Sequence, residues 1–440
     1  MKGFKALTVL AALLVSSSAN ATKVPLPEAL AANGSTLNLS FQLQPWVLIT
    51  ENGSADGTSP SADFWIRRAR ILINGDVNNN FSYLLQFDSP NLGKRGDIAN
   101  ATNSNASKAI VQDAWVGWAP FGITGGSVLY IDAGLLLMPI ARQMLTTTTN
   151  FTQADVHTDS FRIGTVGGLN ANQSGFRETG VSIRGWALDK HLGFRGGVYQ
   201  GQREASVTSC GASCGNPQLT PNPKSLPRLA MFANYSLIGT EDGGWLYSSM
   251  YFSKTPILSV NAAVTYQSQA VQGPNGLTDT MVQSYGAFTE WPLSDDLEFV
   301  VQVNALRSFN GTGSANTGWG GFVDAAVRVG SFKPYVTYET FMGDTAGATD
   351  CNGKACAATQ TAESRIAKIG LDYYIDKNKN HVNFEFAVNH GSSSITAGSA
   401  LAPRDITGSI TPGGALAVAQ QNRLQTAALK TFLIHWNLQF

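Results

Sequence analysis

The chain has 440 residues, 14% of them charged, with Lys+Arg and Asp+Glu equal at 30 each. That balance excludes the basic surface that nucleic-acid binding needs and leaves no acidic tail. Beyond residue 21 no apolar run reaches the ~18–20 residues of a membrane-spanning helix, so insertion into a membrane must be by strands.

Lys2 and Lys5 precede the apolar run Leu7 to Val15, and Ala19-Asn20-Ala21 is a small-residue cleavage pattern. This order defines a secretory signal peptide over residues 1–21 and a mature chain over 22–440. Small and polar residues directly after the run argue against an N-terminal anchor helix.

Alternation of apolar and polar residues then recurs along the chain. In an extended strand successive side chains point to opposite faces. Leu37, Leu39, Phe41 and Leu43 alternate with Asn38, Ser40, Gln42 and Gln44. Phe81, Tyr83, Leu85 and Phe87 form the next clear apolar set. Val323, Ala325, Val327 and Val329 oppose Phe322, Asp324, Ala326 and Arg328. Val382, Phe384, Phe386 and Val388 oppose Asn383, Glu385, Ala387 and Asn389. In the last segment Phe432, Ile434, Trp436, Leu438 and Phe440 lie on one face, and Thr431, Leu433, His435, Asn437 and Gln439 on the other. Such segments, oily outside and mostly polar inside, are the wall elements of a transmembrane β-barrel.

Seventeen segments show the pattern: 37–50, 62–76, 80–89, 108–119, 128–138, 176–188, 191–202, 226–238, 245–254, 257–271, 278–292, 297–308, 318–330, 333–343, 362–375, 381–391 and 425–440. An odd number conflicts with the even strand counts of single-chain bacterial barrels, whose inner turns are short and outer loops long. Counted from either end, long connections fall on one side and short turns on the other, until the two counts clash between Gly239 and Pro256. Demoting 245–254 to a long inner connection resolves the clash. The expected fold is therefore all-β: an antiparallel transmembrane barrel of sixteen strands, eighteen being the neighbouring even count. Sixteen strands leave an aqueous lumen where eight would be filled by their own side chains.

Parity assigns the lumen lining. Arg184, Arg195, Arg228, Arg328 and Lys368 are inward cations; Asp113, Asp132, Asp324, Glu339, Asp372 and Glu385 are inward anions. Paired charges that stiffen and hydrate the wall are the plain reading, and a charge ladder that sorts ions is the functional one. Arg67, Arg68 and Arg70 form the densest basic cluster, with Arg67 on the opposite face from the other two. An arginine facing lipid at mid-depth costs roughly 2–4 kcal/mol. Either a bulge re-aims Arg67, or it lies near the headgroups and snorkels. The connection 139–175 carries Arg142, the run Thr146 to Thr149, Asp155, His157, Asp159 and Arg162. Porin architecture suggests that it folds inward as a constriction loop; a surface loop is the other possibility.

The cysteines form two close pairs, Cys210/Cys214 and Cys351/Cys356. In an exported chain these are candidates for local disulfides that stiffen loop tips. A four-cysteine zinc site is the alternative, although neither pair has the usual two-residue spacer.

Several of these stretches resemble the phosphate-selective porin O/P family. The likeness runs through Arg67-Arg68-Ala69-Arg70 closing at Gly75, Asp113-Ala114-Trp115, Gly134 and Pro139 in G-L-L-L-M-P, Gly180, Gly185, Tyr199-Gln200-Gly201 and Arg228-Leu229, roughly the region 37–238. It implies a sixteen-stranded homotrimer in the outer membrane of a Gram-negative bacterium, embedded in its lipid, passing small solutes with basic residues that bind anions. Arg68, Arg70, Arg142, Arg162, Arg184 and Arg195 are the candidates for that task. Leu135, Leu136 and Leu137 stand where the family commonly carries a lysine, which sets phosphate selectivity in question. The terminal Phe440 similarly resembles the assembly signal of outer-membrane barrels.

Two other functions remain to be weighed. Some outer-membrane barrels are hydrolases, and His157 between Asp155 and Asp159 is the best histidine for that chemistry, but no G-x-S-x-G accompanies it. A soluble exported β-protein would bury the apolar face, with about half as many strands per domain. No sequence feature calls for a cofactor or a metal.

Overall fold

A computed structural model describes residues 22–51, 59–78, 80–93, 109–122, 128–157, 176–201, 224–241, 245–273, 276–310, 317–344, 363–391 and 429–440. The expected signal peptide, 1–21, and Asp159 lie outside the described residues. So do both expected disulfides: Cys210 and Cys214, and Cys351 and Cys356, fall in stretches that the structure does not describe.

Sixteen strands form the wall: β1 Asn38–Thr50, β2 Ser61–Asn78, β3 Phe81–Asp88, β4 Ile110–Trp118, β5 Val128–Leu137, β6 Arg177–Ala187, β7 Leu192–Tyr199, β8 Arg228–Ile238, β9 Ile257–Gly273, β10 Gly276–Pro292, β11 Leu297–Phe309, β12 Gly318–Val329, β13 Phe332–Gly343, β14 Glu363–Asp376, β15 Asn380–Gly391 and β16 Leu429–Gln439. Each pairs antiparallel with the next, and β16 pairs with β1, so the sheet closes. The seam is tied by reciprocal backbone bonds: Phe41 N–H donates to the Phe440 carbonyl at 2.6 Å, and Phe440 N–H to the Phe41 carbonyl at 2.9 Å. A two-residue strand, Thr22–Lys23, adds to β1, and a one-turn helix, Glu28–Ala31, follows it.

The alternation places side chains as expected. In β12, Val323 is 47% exposed on the outside and Asp324 1% exposed on the inside. A closed sheet satisfies every backbone group within itself, which lets strands cross hydrocarbon at all. No helix among the described residues is long and apolar enough to cross a membrane.

The segment 245–254 is not a strand, and β8 pairs directly with β9. The register also resolves Arg67. Gln44 pairs with Arg68 and Pro45 with Ile66, leaving Arg67 as the extra residue of a bulge. Pro45 has no N–H to give the ladder, so a break there is inexpensive. The bulge turns Arg67 inward, and no arginine of this cluster faces lipid.

Two glycines mark close approaches. Gly134 in β5 has φ +136°, and a Cβ there would collide with the Ala114 carbonyl of β4. A Cβ on Gly75 would strike the Thr36 carbonyl, where the N-terminal segment crosses β2.

The buried apolar clusters lie inside the barrel, where loops pack on the wall. One joins Leu136, Met138, Ile140 and Leu145 to Phe232, Tyr247 and Phe322. Another packs Ala154 against Trp46, Trp65 and Leu433. A third seats Met250 on Phe288, Tyr335 and Tyr374.

Candidate functional site

The chain leaves β5 at Leu137 and turns into the lumen, as expected of the constriction loop. Met138 N–H donates to the Phe176 carbonyl at 2.9 Å, fixing the entry. A buried 3-10 turn, Gln143–Leu145, follows. Thr148 then accepts from Arg70 Nη1 at 2.7 Å, Asn437 donates to the Thr149 carbonyl at 3.3 Å, and Ala154 N–H donates to Glu385 at 3.1 Å. The loop thus touches β2, β16 and β15 in turn. Of this connection, 139–157 is inside; 158–175, which includes the anion-binding candidate Arg162, lies outside the described residues.

Asp155 anchors the loop on the basic cluster. Its carboxylate takes Arg67 Nε at 2.9 Å and Arg68 Nη2 at 2.5 Å. Burial pushes the Asp155 carboxyl up, but Arg67 and Arg68 outweigh it and hold the group well below the usual carboxylate range. His157 anchors the far side of the lumen. Its Nε2 lies 2.7 Å from Asp324 of β12 and its Nδ1 3.5 Å from Glu339 of β13, with the ring stacked on Phe322 at 4.1 Å. Burial alone would favour the neutral ring, but the two carboxylates outweigh it and push His157 up to about 9. The histidine proposed for hydrolysis is therefore committed to an ion pair, and its acids are Asp324 and Glu339 rather than the adjacent Asp155.

The inner connection after β8 also enters the lumen, which sequence reasoning did not anticipate. Trp245 stacks on Trp115 of β4 at 4.4 Å. Tyr247 N–H donates to the Leu145 carbonyl at 2.8 Å, Thr147 N–H to the Tyr247 carbonyl at 3.1 Å, and Ser249 N–H to the Asn150 carbonyl at 2.9 Å. Two loops entering from opposite ends thus meet backbone to backbone. Arg142 and Glu241 lock the junction: Arg142 Nε lies 2.9 Å from Glu241, and the guanidinium sits 3.9 Å from the Phe288 ring. Glu241 also accepts from Asn234 at 3.1 Å and Tyr251 at 3.0 Å. Glu290 of β10 pins the rest, accepting from the backbone of Tyr251 at 2.6 Å and Ser253 at 2.7 Å. The one available sequence signal was W-L-Y-S-S-M-Y-F over 245–252, whose aromatics fall on both parities and therefore do not describe a half-buried strand.

The wall charges are largely paired. Arg70 meets Asp88 at 2.9 Å, Arg177 meets Asp113 at 3.1 Å, Arg184 meets Asp132 at 2.7 Å, and Arg228 meets Glu178. On the other side Arg328 meets Glu298 at 2.7 Å, Lys333 meets Asp372 at 2.7 Å, and Lys368 lies 3.8 Å from both Glu339 and Glu385. Every inward charge assigned by parity is on the inside. The candidates Arg68, Arg70, Arg142 and Arg184 each have a carboxylate partner; Arg195 forms no ion pair of its own among the described residues and shares the field of Asp132 with Arg184. Asp88, Glu178, Glu241, Glu290 and Glu298 were missed as partners. Among the described residues the two halves differ in sign. The buried charges of β2–β8 are five arginines and four carboxylates; those of β9–β16 are six carboxylates and two lysines.

No protein-family profile and no curated protein sequence matches the chain. Solved porin structures match its fold. OmpF of Salmonella typhi, in complex with daunomycin, is 12% identical, with 95% of this chain and 100% of that one covered at a TM-score of 0.53. The anion-selective porin from Comamonas acidovorans is 11% identical, covering 92% and 100% at 0.52. OprB of Pseudomonas putida is 8% identical, covering 92% and 94% at 0.52. At these identities the likeness shows the fold alone: a closed sixteen-stranded antiparallel barrel like those of these porins.

Proposed function

We propose that this protein is a porin of a Gram-negative outer membrane, exported by residues 1–21, that passes small solutes with a preference for anions. The observation that carries the reading is a closed sheet, apolar outside, whose interior is lined by charge and narrowed by a loop from each end. A water-filled path needs that arrangement, and a soluble sandwich would cover its apolar face instead. The arginine-rich wall of β2–β8 supports the anion preference along that side of the lumen, which faces the carboxylate-rich wall of β9–β16. Assembly as a homotrimer is part of the proposal, as is the absence of enzymatic activity, since His157 is held between two carboxylates.

The test is a planar bilayer under a KCl gradient. A reversal potential displaced toward the chloride equilibrium value supports the reading. Absence of conductance, or selectivity for potassium, overturns it.

A further inference from the structure

Glu290 holds the inner loop by its backbone. One carboxyl oxygen accepts from Tyr251 N–H at 2.6 Å and the other from Ser253 N–H at 2.7 Å. Phe252, between them, has φ +52°, in the left-handed region that residues other than glycine seldom occupy. Backbone N–H groups curled in this way form a nest, a concavity that suits an anion. Here the anion is the carboxylate of Glu290. A left-handed phenylalanine persists only where its surroundings enforce it.

A second partner lies within reach. In the ladder Glu290 pairs with Val300 and Pro292 with Glu298, so Glu290 and Glu298 are diagonal neighbours on β10 and β11. Both are fully buried on the lumen side, and their carboxyls are within hydrogen-bond reach of each other. Glu298 Oε2 accepts from Arg328 Nε at 2.7 Å, whereas Glu298 Oε1 accepts no hydrogen bond among the described residues. Two carboxylates repel, and they bond to each other only through a shared proton. Other charged and titratable groups pack around the pair. Tyr251 donates its phenol to Glu241 at 3.0 Å, and Glu241 is paired with Arg142. Arg328 and Lys377 lie 5.5 and 5.4 Å from the Phe252 ring, and Tyr374 packs edge-on against it at 5.1 Å. Lys333, 5.6 Å from the Tyr374 ring, pairs with Asp372.

We propose that Glu290 is a proton-operated latch on the inner loop. Ionised, it sits in the nest and fixes residues 251–253 to the wall; protonated, it turns its O–H to Glu298 Oε1 and frees them. The proton comes from water and returns to it. A neutral carboxyl is a weaker acceptor than a carboxylate, and Glu298 supplies the alternative bond that draws it out of the nest. The inner loop is also bonded to the constriction loop, Tyr247 to Leu145 and Thr147, and Ser249 to Asn150. Freeing 251–253 therefore loosens the constriction loop and widens the path. The proposal rests on the reading of the lumen as a solute path.

The experiment records single-channel conductance of the full-length protein from about pH 4 to about pH 9, the range that exposed and buried carboxyls span. It compares the native chain with Glu290→Gln and Glu298→Gln. Support is a native conductance that steps upward on acidification and a Glu290→Gln channel fixed at the acid level at every pH. In Glu298→Gln the midpoint of the step should fall at least about one pH unit lower, because the repelling charge is gone. A native conductance without a step overturns the proposal, as does a step that survives unchanged in Glu290→Gln. Should Glu290→Gln fail to fold, the Glu298→Gln midpoint decides, and an unmoved midpoint counts against the latch. Crystals of the native protein at the two ends of the range give a second readout. Glu290 should bond to the N–H groups of Tyr251 and Ser253 at high pH and to Glu298 at low pH; one arrangement at both overturns the proposal. Failure of the porin reading is scored separately. A protein with no conductance sinks the pore, and the two crystals still decide the latch; a conducting channel without the step sinks the latch alone.

Discussion

The junction between the two inward loops makes a sharp energetic prediction. Arg142 and Glu241 are each 1% exposed at the side chain. Removing one member of a buried ion pair strands the other, at a cost of about 3–5 kcal/mol. Each residue here keeps other partners. Arg142 retains the Ser248 carbonyl at 2.7 Å and Gln302 at 3.1 Å; Glu241 retains Asn234, Tyr251 and Ser259. That places each single variant, Arg142→Met and Glu241→Gln, near the lower end, about 3 kcal/mol. The double variant leaves no orphan charge, so its cost should not exceed that of either single, giving a coupling energy on the order of 3 kcal/mol. The assay is guanidinium unfolding of the detergent-solubilised barrel followed by tryptophan fluorescence, with the midpoints converted by linear extrapolation. Single-channel conductance should rise in the same variants as the inner loop loosens from the constriction loop. Additive losses in the double variant would refute the argument, since additivity means that the two groups do not neutralise each other.

Other outcomes follow from the same geometry. The His157 pKa is raised in the fold, so its ion pairs contribute fully below about 6.5 and are lost as the pH climbs through about 9. Unfolding midpoints of the native protein should fall across that alkaline window, and His157→Gln should lack the step. Asp155 is the opposite case: its carboxyl is held low, so its contribution is present at neutral pH and fades only in strong acid. Asp155→Asn should cost about 3–5 kcal/mol at pH 7 by leaving Arg68 buried without a counter-charge; a loss under about 1 kcal/mol, the range of exposed pairs, contradicts the described burial. On the outer face, Val323→Arg should destabilise the barrel in lipid by about 2–4 kcal/mol and Val329→Arg, at the strand end, by about 0–1 kcal/mol. Equal penalties in a vesicle refolding titration would mean that β12 does not cross the bilayer as described.

Most of the wall was legible because a strand writes its two faces directly into the sequence. Parity placed Asp324 inside and Val323 outside, and the same counting rejected 245–254 as a strand. The lumen was harder to read because its contacts obey no period. Arg142 meets Glu241 across 99 positions and His157 meets Asp324 across 167. The partners Asp88 and Glu178 lay on inward parity and could have been found; Glu241 lies just past a strand end, where parity says nothing. The bulge at Arg67 was foreseen as one of two remedies, and the structure shows which, because Pro45 already weakens the ladder at that point.

The seam between β1 and β16 joins residues as far apart as Gln42 and Gln439. Bringing such distant segments together restricts almost the whole chain at once, so this contact is among the slowest to form. Until it forms, two unpaired strand edges remain open to other chains. Guarding those edges during biogenesis is therefore as much a requirement of this molecule as any residue in its interior.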